Sequence, residues 1–498
     1  MLQYYTAGDN ALLAEFGGSV SGVELAAADG AVRALSEVES CTIGHSSIYV
    51  VFRKNPAAGT RETLHEAVSG ASRLATTSAR RREHRFRVSV HPDASPDLPL
   101  LMEVTGVSRD ELIREMGQLR LTVRYCGFRP GFAYLEGLPT SWVLGRHPRP
   151  RASVPAGAFA IAGPMCAFYP ARSPGGWNLI GRTDAVLWDP ERVPPNLLAA
   201  GDSVCIDPVE ELLAPPELKE MQPRIEGELL ATFVAAGQNT VIAAPRDPGR
   251  LEYGLPPSGP FDEEAARLSN RAVGNEPEEA VLECAMVGPV LEFSRPALLS
   301  WFGSSVEAIL NGAVLRDTRQ IAVRGRDVLE IGRITGGMRG VLAVRGGVID
   351  LNPRFSVEPW IVKTGDTLRA REGLGDTTRL RDSLRTDRTK IAVRRGPHPV
   401  SDELFERLLD RRWTVTRDLN RVGIRLTCGE VTAGIPADLP SCGMQFGTVQ
   451  WHAGGDLVVM GPDHPVTGGY LQPMTVLSGE RWKLAQLMPG DEVKWSDE

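Results

Sequence analysis

Short runs in which apolar and polar residues alternate dominate this chain, and they predict strands more often than helices. Near the N-terminus, Ala11–Phe16 and Ser47–Phe52 have the character of strands, whereas Val23–Leu35 and Arg61–Leu74 carry apolar residues at helical spacing. The mixture predicts a small α+β unit, of ferredoxin-like type, over residues 1–80.

Three capping signals predict the helices that interrupt the remaining β pattern. Ser108 precedes an apolar helical run, and Ser401 precedes the predicted helix Asp402–Arg412. Asp262 and Gly274 are placed as the N-cap and the C-terminal residue of a helix over Glu263–Val273. The pattern predicts units over residues 81–213, 228–385 and 386–498, with the polar, proline-flanked segment 214–227 as a linker.

An internal repeat suggests that the β units are related. Gly-Asp turns recur at Gly201, Gly365 and Gly490, each before a strand. Val154–Gly163 is similar to Gly443–Gln450, and Gly175–Gly181 is similar to Gly454–Gly461. Related β-barrels in tandem are expected to leave such self-similarity.

Glycine, proline and aromatic residues are densely mixed between Tyr125 and Thr183. The stretch contains Cys126-Gly-Phe-Arg-Pro-Gly-Phe-Ala-Tyr-Leu-Glu-Gly-Leu-Pro139 and ends with Ser173-Pro-Gly-Gly-Trp-Asn-Leu-Ile-Gly-Arg-Thr183. Glycine permits close backbone approach and proline restricts the backbone. Two interpretations stay open, namely rigid loops that frame a concave surface and tight turns over a barrel core.

Composition and charge exclude several classes. The chain has 498 residues, 42% of them hydrophobic, and a net charge of −7, which gives no indication of binding to nucleic acid or to an anionic membrane. It has no apolar run of about 18 residues and no basic, apolar leader. Seven scattered cysteines without a Cys-x-x-Cys pair favour reduced thiols, so we expect a cytoplasmic protein.

The common catalytic motifs do not occur in the sequence. It contains no phosphate-binding P-loop, no Gly-x-Ser-x-Gly elbow, no His-Glu-x-x-His and no Met-Lys-Met biotin-attachment site. The eight histidines do not cluster at ligand spacing, so no metal site is predicted. Residue patterns alone therefore indicate a multi-barrel protein with polar, glycine-lined loops.

Longer motifs resemble two known families. Gly127–Pro139, Ser173–Trp177 and Ile180–Thr183 resemble allophanate hydrolase subunit 1. The motifs of the second half resemble allophanate hydrolase subunit 2. They are Gly259–Asp262, Asn270, Gly274-Asn275, Leu282-Glu283, Asn420–Leu426, Asp463–Tyr470 and Ala485–Asp491. The two families include KipI and KipA, and also 5-oxoprolinase subunits B and C, respectively. The chain thus resembles a natural fusion of two subunits.

The resemblance implies a mainly β fold with α+β parts, in which tandem cyclophilin-like β-barrels follow the ferredoxin-like domain. It implies a component of an ATP-dependent amidohydrolase of the 5-oxoprolinase type, which opens a small amide or lactam with ATP and Mg²⁺ and needs a separate YcsF/LamB-type subunit. A KipI-type inhibitor of a histidine kinase and a urea-carboxylase-like carboxyltransferase component are the alternatives, and a prolyl isomerase is a weaker one. Assembly into a homo-oligomer is left open.

Candidate site residues follow from the same motifs. Arginine binds phosphate or carboxylate in a bidentate manner, and Gly-Gly backbones form anion nests. Asp262, Glu283 and Asp463 are the candidates for a base or a metal contact. The predicted substrate- or nucleotide-binding residues are Phe128, Pro130, Gly131, Tyr134, Gly175, Gly176, Trp177, Arg182, Thr183, Arg421, Arg425, Gln450, Thr467, Gly468, Gly469 and Tyr470. For each of them a structural role competes, such as an inter-strand ion pair, a helix cap or a hairpin turn.

The sequence also departs from the family pattern. A glycine-rich loop that usually follows the Gly346-Gly347 position is shortened around Asn352–Trp360. The usual Ser-Glu-Gly is Ser441-Cys-Gly443 here, which removes a carboxylate, and Met165 stands where glutamine is common. We expect these changes to affect catalysis more than the fold.

Overall fold

The protein folds mainly as β structure, as predicted. The structure is a computed structural model that describes residues 2–74, 82–217, 226–350, 355–356, 359–373, 376–378, 380, 387–429 and 439–498. Most of the predicted linker 214–227 and much of the shortened loop at 352–360 lie outside these residues. No helix within the described ranges is long and apolar enough to cross a bilayer.

The N-terminal unit is a four-stranded antiparallel sheet with two helices. Its strands are β1 (Leu2–Thr6), β2 (Ala11–Phe16), β3 (Val38–Ile43) and β4 (Ser47–Phe52), and its helices are α1 (Gly22–Arg33) and α2 (Thr60–Leu74). The sheet order is β1-β2-β4-β3. The succession β2-α1-β3-β4-α2 has ferredoxin-like order, and β1 occupies the edge next to β2.

A closed seven-stranded barrel follows the N-terminal unit. Its elements are β5 (Glu83–Ser89), α3 (Leu98–Thr105), α4 (Arg109–Gln118), β6 (Arg120–Cys126), β7 (Ala133–Glu136), β8 (Arg151–Val154), β9 (Ala158–Ala162), β10 (Met165–Phe168), β11 (Ser173–Gly175), β12 (Asn178–Arg182) and β13 (Ser203–Val209). The barrel order is β10-β7-β6-β13-β5-β12-β9, and β8 pairs with β11 as a separate two-stranded ribbon. Phe159 and Phe168, whose rings stack at 4.6 Å, fill its interior.

The middle unit is built on a ten-stranded sheet. Its strands are β14 (Glu228–Ala235), β15 (Asn239–Ala243), β16 (Val281–Ala285), β17 (Val290–Phe293), β18 (Ala297–Leu310), β19 (Ala313–Val314), β20 (Ile321–Val323), β21 (Val328–Val344), β22 (Trp360–Ile361) and β23 (Thr367–Ala370). A 3₁₀ helix (Pro248–Tyr253) and helix α5 (Glu263–Val273) lie between β15 and β16. The long strand β21 pairs with β17 at one end and with β16 at the other, and the sheet does not close among the described residues.

The C-terminal unit is the second closed barrel. Its elements are β24 (Lys390–Arg395), α6 (Asp402–Asp410), β25 (Trp413–Leu419), β26 (Gly423–Thr427), β27 (Cys442–Gly443), β28 (Thr448–Trp451), β29 (Leu457–Met460), β30 (Thr467–Gly468), β31 (Leu471–Val476), a 3₁₀ turn (Ser478–Glu480), α7 (Arg481–Gln486) and β32 (Glu492–Asp497). The barrel order is β24-β31-β28-β29-β26-β25-β32, and β27 pairs with β30 as a ribbon.

The two closed barrels have the same topology. When the seven strands of each are numbered along the chain, both have the order 1-7-2-3-5-4-6, with strands 1 and 7 parallel. The ribbons β8–β11 and β27–β30 leave the two barrels at equivalent places. This agrees with the similarity of Val154–Gly163 to Gly443–Gln450. The second proposed similarity was wrong by one strand pair, because Gly175–Gly181 matches β30–β31 and not Gly454–Gly461.

The predicted Gly-Asp turns make the same contacts in all three β units. Gly201, Gly365 and Gly490 donate their backbone N–H groups to Val123, Phe233 and Val415, respectively. Each following aspartate accepts a hydrogen bond from the backbone three residues before it. The repeat in the sequence therefore records one turn that closes three related units.

Capping residues are placed as the sequence predicts. Asp262 accepts from the N–H of Ala265, and Gly274 ends α5 in the left-handed conformation. Ser108 and Ser401 cap α4 and α6, respectively, in the same way. These local signals fix where the helices begin.

The N-terminal unit contacts both barrels. Gly22 begins α1 so close to β6 that a Cβ atom there would lie 2.6 Å from the carbonyl oxygen of Val123. At the second barrel, a Cβ at Gly443 would lie 2.5 Å from the Cβ of Tyr49 in β4. The barrels and the N-terminal unit are thus held together by backbone that side chains would keep apart.

Gly340 provides a test of the packing in the middle unit. A Cβ at this position would lie 1.9 Å from the ring of the buried Trp301. We expect Gly340→Ala to lower the free energy of unfolding by about 1–3 kcal/mol through overpacking. Calorimetric unfolding measures the change.

The matched control is Gly30→Ala on the exposed face of α1, where no atom lies within 4 Å of the new methyl group. This variant should be more stable than the wild type by about 0.5–1 kcal/mol, since alanine favours the helix. Equal melting temperatures for the two variants would contradict the packing at Trp301.

Candidate functional site

The loop between β6 and β7 is a compact double turn. The N–H of Arg129 donates to the carbonyl of Gly127 at 2.7 Å, and the N–H of Phe132 donates to Arg129 at 3.0 Å. Phe128 and Gly131 have φ of 66° and 77°, in the left-handed region. A non-glycine residue there is uncommon and costs conformational energy, so the loop is held in shape by its surroundings.

This loop meets the second half of the chain directly. A Cβ at Gly127 would lie 2.3 Å from Oγ1 of Thr467, so only glycine fits against β30. A Cβ at Gly254 would lie 3.3 Å from the carbonyl oxygen of Arg129. The side chain of Ser441 lies beside the hydroxyl of Tyr125. Predicted site loops from both halves therefore converge, although they are more than 300 residues apart.

A cluster of aromatic rings lies behind the loop, on the outer face of the first barrel. Phe132 contacts Tyr134, Tyr169 and Trp177 edge-on, with centroids 4.9–6.1 Å apart. Tyr125 stacks on Tyr134 at 4.4 Å. Alternation along β9 makes this possible, since Phe159 and Ile161 point into the barrel while small alanines face the rings. Most of the cluster is buried, whereas Phe128 is 47% exposed.

The tyrosines of this cluster remain protonated at neutral pH. Burial raises the pKa of Tyr125 to about 12 and also raises the pKa values of Tyr134 and Tyr169. Arg146 lies near enough to all three hydroxyls for its charge to oppose that effect. Protonated hydroxyls can donate hydrogen bonds to a carbonyl or a carboxylate.

The two Gly-Gly motifs lie in the equivalent ribbons, but they do not form anion nests. None of the four glycines has a positive φ. A Cβ at Gly175 would lie 2.4 Å from the hydroxyl of Tyr169, and one at Gly468 would lie 2.7 Å from Cε of Met444 and 2.9 Å from Nε2 of Gln450. A Cβ at Gly469 would lie 2.6 Å from a backbone carbonyl. Close packing is the physical reason for these glycines.

Tyr470 and Arg425 lie on the second barrel near His452. The rings of Tyr470 and His452 stack at 4.1 Å. Arg425 pairs with Asp456 at 3.2 Å, and its charge together with burial lowers the pKa of His452. Gln450 is buried beside Met444. These residues extend the convergence from Thr467 along the second barrel.

Arg182 and Thr183 are not part of the convergence. They lie at the far end of β12, where the guanidinium of Arg182 donates two hydrogen bonds to the carbonyl of Leu213. Thr183 is buried and accepts from the N–H of Ala185. Their contacts serve the barrel wall.

The three candidate carboxylates belong to a buried ionic cluster between the middle and C-terminal units. Glu283 accepts from Arg421 at 2.7 Å and from the N–H of Phe261 at 2.5 Å. Asp463 also accepts from Arg421, at 2.7 Å, and from the hydroxyl of Ser258. Asp262 accepts from Gln486 and caps α5. Each carboxylate is already satisfied, so the geometry gives all three structural partners.

A cluster that the sequence did not indicate lies behind β30. Sγ of Cys442 is 3.7 Å from Nε2 of His398 and accepts from Gln472 at 3.2 Å. Nδ1 of His398 accepts from the N–H of Gln472, so Nε2 carries the proton. Burial raises the pKa of Cys442 to about 12 and keeps the thiol protonated. The substitution at Cys442 was the only signal, because His398 is 44 residues away.

Two cavities lie outside the convergence. One of about 220 Å³ is lined by Glu39, Arg246 and Glu263 among others. The other, of about 230 Å³, reaches from Asp29 to Cys126, at the start of the motif loop. Neither cavity contains a predicted site residue. Among the described residues, no group of three or more His, Cys, Asp or Glu side chains is arranged to hold a metal ion.

Arg421 tests the structural role of the ionic cluster. Its side chain is 10% exposed and Glu283 is 3% exposed. Replacing it in Arg421→Met leaves buried carboxylates without a cation, and we expect a loss of about 3–5 kcal/mol in the free energy of unfolding. Arg412→Met is the control, since Arg412 pairs with Glu492 at the surface and should change stability by at most about 1 kcal/mol. Similar losses in calorimetry for both variants would contradict the role of Arg421.

His464 gives the fold an acid-sensitive site. It is buried, with its ring hydrogen-bonded to the carbonyl of Pro465, and burial lowers its pKa from 6.5 to about 4. The unfolded chain therefore binds more protons between these values, so stability is complete above pH 6.5 and falls as the pH drops towards 4. The loss should reach about 3 kcal/mol.

Melting curves of wild type and His464→Gln at several pH values check this. The difference in stability between the two should shrink on acidification, while His91→Gln, at an exposed histidine, controls for the loss of one histidine. Parallel pH profiles of wild type and His464→Gln would contradict the assignment.

Comparisons with known proteins agree with the division into two halves. A family described as "Carboxyltransferase domain, subdomain C and D" matches residues 2–198. A second one, "Carboxyltransferase domain, subdomain A and B", matches residues 253–497. The solved structure of TTHA0988 is similar over the whole length of both chains, with a TM-score of 0.84 and 28% identity.

Three relatives show which proteins contain these halves. The first half is 41% identical over 116 residues to the B component of 5-oxoprolinase from Escherichia coli O157:H7, and the match covers 53% of that protein. A segment covering 52% of this chain is 27% identical over 278 residues to the C component of 5-oxoprolinase from E. coli K12, of which it covers 89%.

Half of the chain is 27% identical over 286 residues to urea amidolyase of Saccharomyces cerevisiae, but it spans only 16% of that protein. The family matches and these relatives agree with the motifs and with the barrels that carry them. The chain therefore belongs to the carboxyltransferase-domain family, also called the allophanate hydrolase subunit 1 and 2 family, with the counterparts of 5-oxoprolinase subunits B and C fused in one polypeptide.

Proposed function

We propose that this protein is a component of an ATP-dependent amidohydrolase of the 5-oxoprolinase type, which works with a separate YcsF/LamB-type subunit. One observation carries the proposal. The loop of the first half, at Gly127, and the ribbon of the second half, at Thr467, are in contact without an intervening side chain. Elements that two 5-oxoprolinase subunits contribute separately are thus joined in one composite surface.

The residues at this surface suit the binding of a small amide. The aromatic rings provide an apolar wall, and the protonated hydroxyls of Tyr125 and Tyr134 are donors for a carbonyl oxygen. The rigid turn around Gly131 fixes the approach to the wall. In the proposed reaction these groups bind and orient the lactam and exclude water from one of its faces.

The described residues do not fit ATP with Mg²⁺. The Gly-Gly motifs have no nest conformation, and Asp262, Glu283 and Asp463 are bonded within the protein. We therefore assign the nucleotide to the separate subunit and derive no phosphoryl transfer on this chain. ATP hydrolysis would supply the activation that a lactam needs before ring opening.

A carboxyltransferase component, acting with a biotin carrier on urea, is the second candidate. The family description and the relationship to urea amidolyase favour it. The same wall and donors suit urea, because urea is also a small neutral amide. The two candidates differ in product, glutamate for the first and carboxylated urea for the second.

Release of glutamate from 5-oxoproline with ATP and Mg²⁺ tests the proposal. We expect turnover only when the chain and a YcsF/LamB-type subunit are both present. Tyr134→Phe should lower kcat/KM about tenfold, since one hydrogen bond to the substrate is lost. Tyr5→Phe is the control, because the hydroxyl of Tyr5 is exposed and bonds to Gln3.

The partner subunit must first be shown to be active with separate B and C subunits. If the folded chain then gives no glutamate, the 5-oxoprolinase assignment fails. Carboxylation of urea by the chain in the presence of a carboxylated biotin carrier would establish the second candidate instead.

A further inference from the structure

An excess of positive charge surrounds the aromatic cluster. Residues 127–183 contain six arginines and a single acidic residue, Glu136, in a chain whose net charge is −7. Arg151 is paired with Asp97, and Arg182 is bonded to a carbonyl. No carboxylate pairs with the other four within the described part of the chain. They are Arg129, Arg146, Arg149 and Arg172.

Arg146 is the arginine that the backbone holds over the cluster. The residue before it, Gly145, accepts a hydrogen bond from the side chain of Asn178 at 2.8 Å. The residue after it, His147, donates its N–H to Gly176 at 2.7 Å. These partners flank Trp177, which contacts Phe132 and Tyr134. The segment around Arg146 is therefore tied to both neighbours of a ring in the cluster.

The side chain of Arg146 is exposed and has no described hydrogen bond or ion pair. Its charge reaches the hydroxyls of Tyr125, Tyr134 and Tyr169. A guanidinium with several N–H donors, next to hydroxyl donors, is suited to a carboxylate, which it binds in a bidentate manner. Such a group would also explain why the loop carries no acidic partner for this arginine.

We propose that Arg146, together with the tyrosine hydroxyls of the aromatic cluster, binds the carboxylate of an anionic amide substrate such as 5-oxoproline. The inference rests on the proposed function and adds a specificity-determining residue to it. The ring of the lactam would lie on the aromatic wall while its carboxylate faces Arg146. A neutral lactam or urea would use the wall but not the arginine.

Equilibrium binding to the full-length chain tests this without catalysis. The probes are 5-oxoproline and 2-pyrrolidone, which is the same lactam ring without the carboxylate. In calorimetric titrations or saturation-transfer NMR, Arg146→Gln should weaken the binding of 5-oxoproline about tenfold or more and leave 2-pyrrolidone unchanged. Tyr169→Phe should weaken 5-oxoproline by a smaller factor.

Arg149→Gln is the matched control. Arg149 is exposed on the same segment, and the substitution removes the same charge. It should weaken 5-oxoproline by less than about twofold, because an exposed charge acts weakly at a distance. Melting curves of both arginine variants should equal that of the wild type, since neither residue has a described partner.

Three results would overturn the inference. They are an equal loss for both arginine variants, an undiminished affinity of Arg146→Gln for 5-oxoproline, and no binding of either lactam to the wild type. Glutamate release separates this failure from that of the proposed function. Wild-type turnover that Arg146→Gln leaves unaltered would remove the role of Arg146 alone, whereas absence of turnover would remove the function itself.

Discussion

The contact between Gly127 and Thr467 is the constraint on which the arrangement of this protein depends. No side chain separates the two backbones, because a Cβ at Gly127 would overlap the hydroxyl of Thr467. Similar close approaches join α1 to β6 at Gly22 and β27 to β4 at Gly443. Glycine at these points lets the N-terminal unit and both barrels meet as tightly packed surfaces, at the conformational cost that glycine carries in the unfolded chain.

The duplicated barrel topology explains why the predicted loops fall at equivalent places. Each barrel sends a two-stranded ribbon from the same points of the same strand order. The ribbons differ in their surroundings, since Gly175 packs against Tyr169 and Gly468 against Met444 and Gln450. Equivalent backbone with different side chains produces one aromatic and one polar surface at the convergence. A fold of this kind does not define an activity by itself, and the function depends on those side chains.

Local signals allowed much of the fold to be predicted from the sequence. The caps at Asp262 and Ser401 and the Gly-Asp turns depend on neighbouring residues, and all of them are where the pattern placed them. Family resemblance marked the Gly127 and Thr467 motifs as site loops, but it did not predict their direct contact. The separate position of Arg182 and the absence of a nest at Gly468 did not follow either, because they depend on packing partners distant in sequence.

The ionic cluster shows the same limit in the opposite direction. Arg421, Glu283 and Asp463 have the residue types of a catalytic site, yet they hold the middle and C-terminal units together. Conversely, Arg146 has no motif of its own and becomes visible only through the hydrogen bonds of Gly145 and His147. A pairwise contact between distant segments decides both cases.

A double-mutant cycle at Gly127 and Thr467 tests the central claim most directly. Gly127→Ala should lower both the melting temperature and the activity of the assembled enzyme, because its methyl group would overlap Oγ1 of Thr467. In the Thr467→Ala background that atom is removed, so the same substitution should be tolerated, with a coupling energy of about 1–2 kcal/mol. If instead the effects of the two substitutions simply add, the two halves do not meet at this point, and the composite surface would not exist.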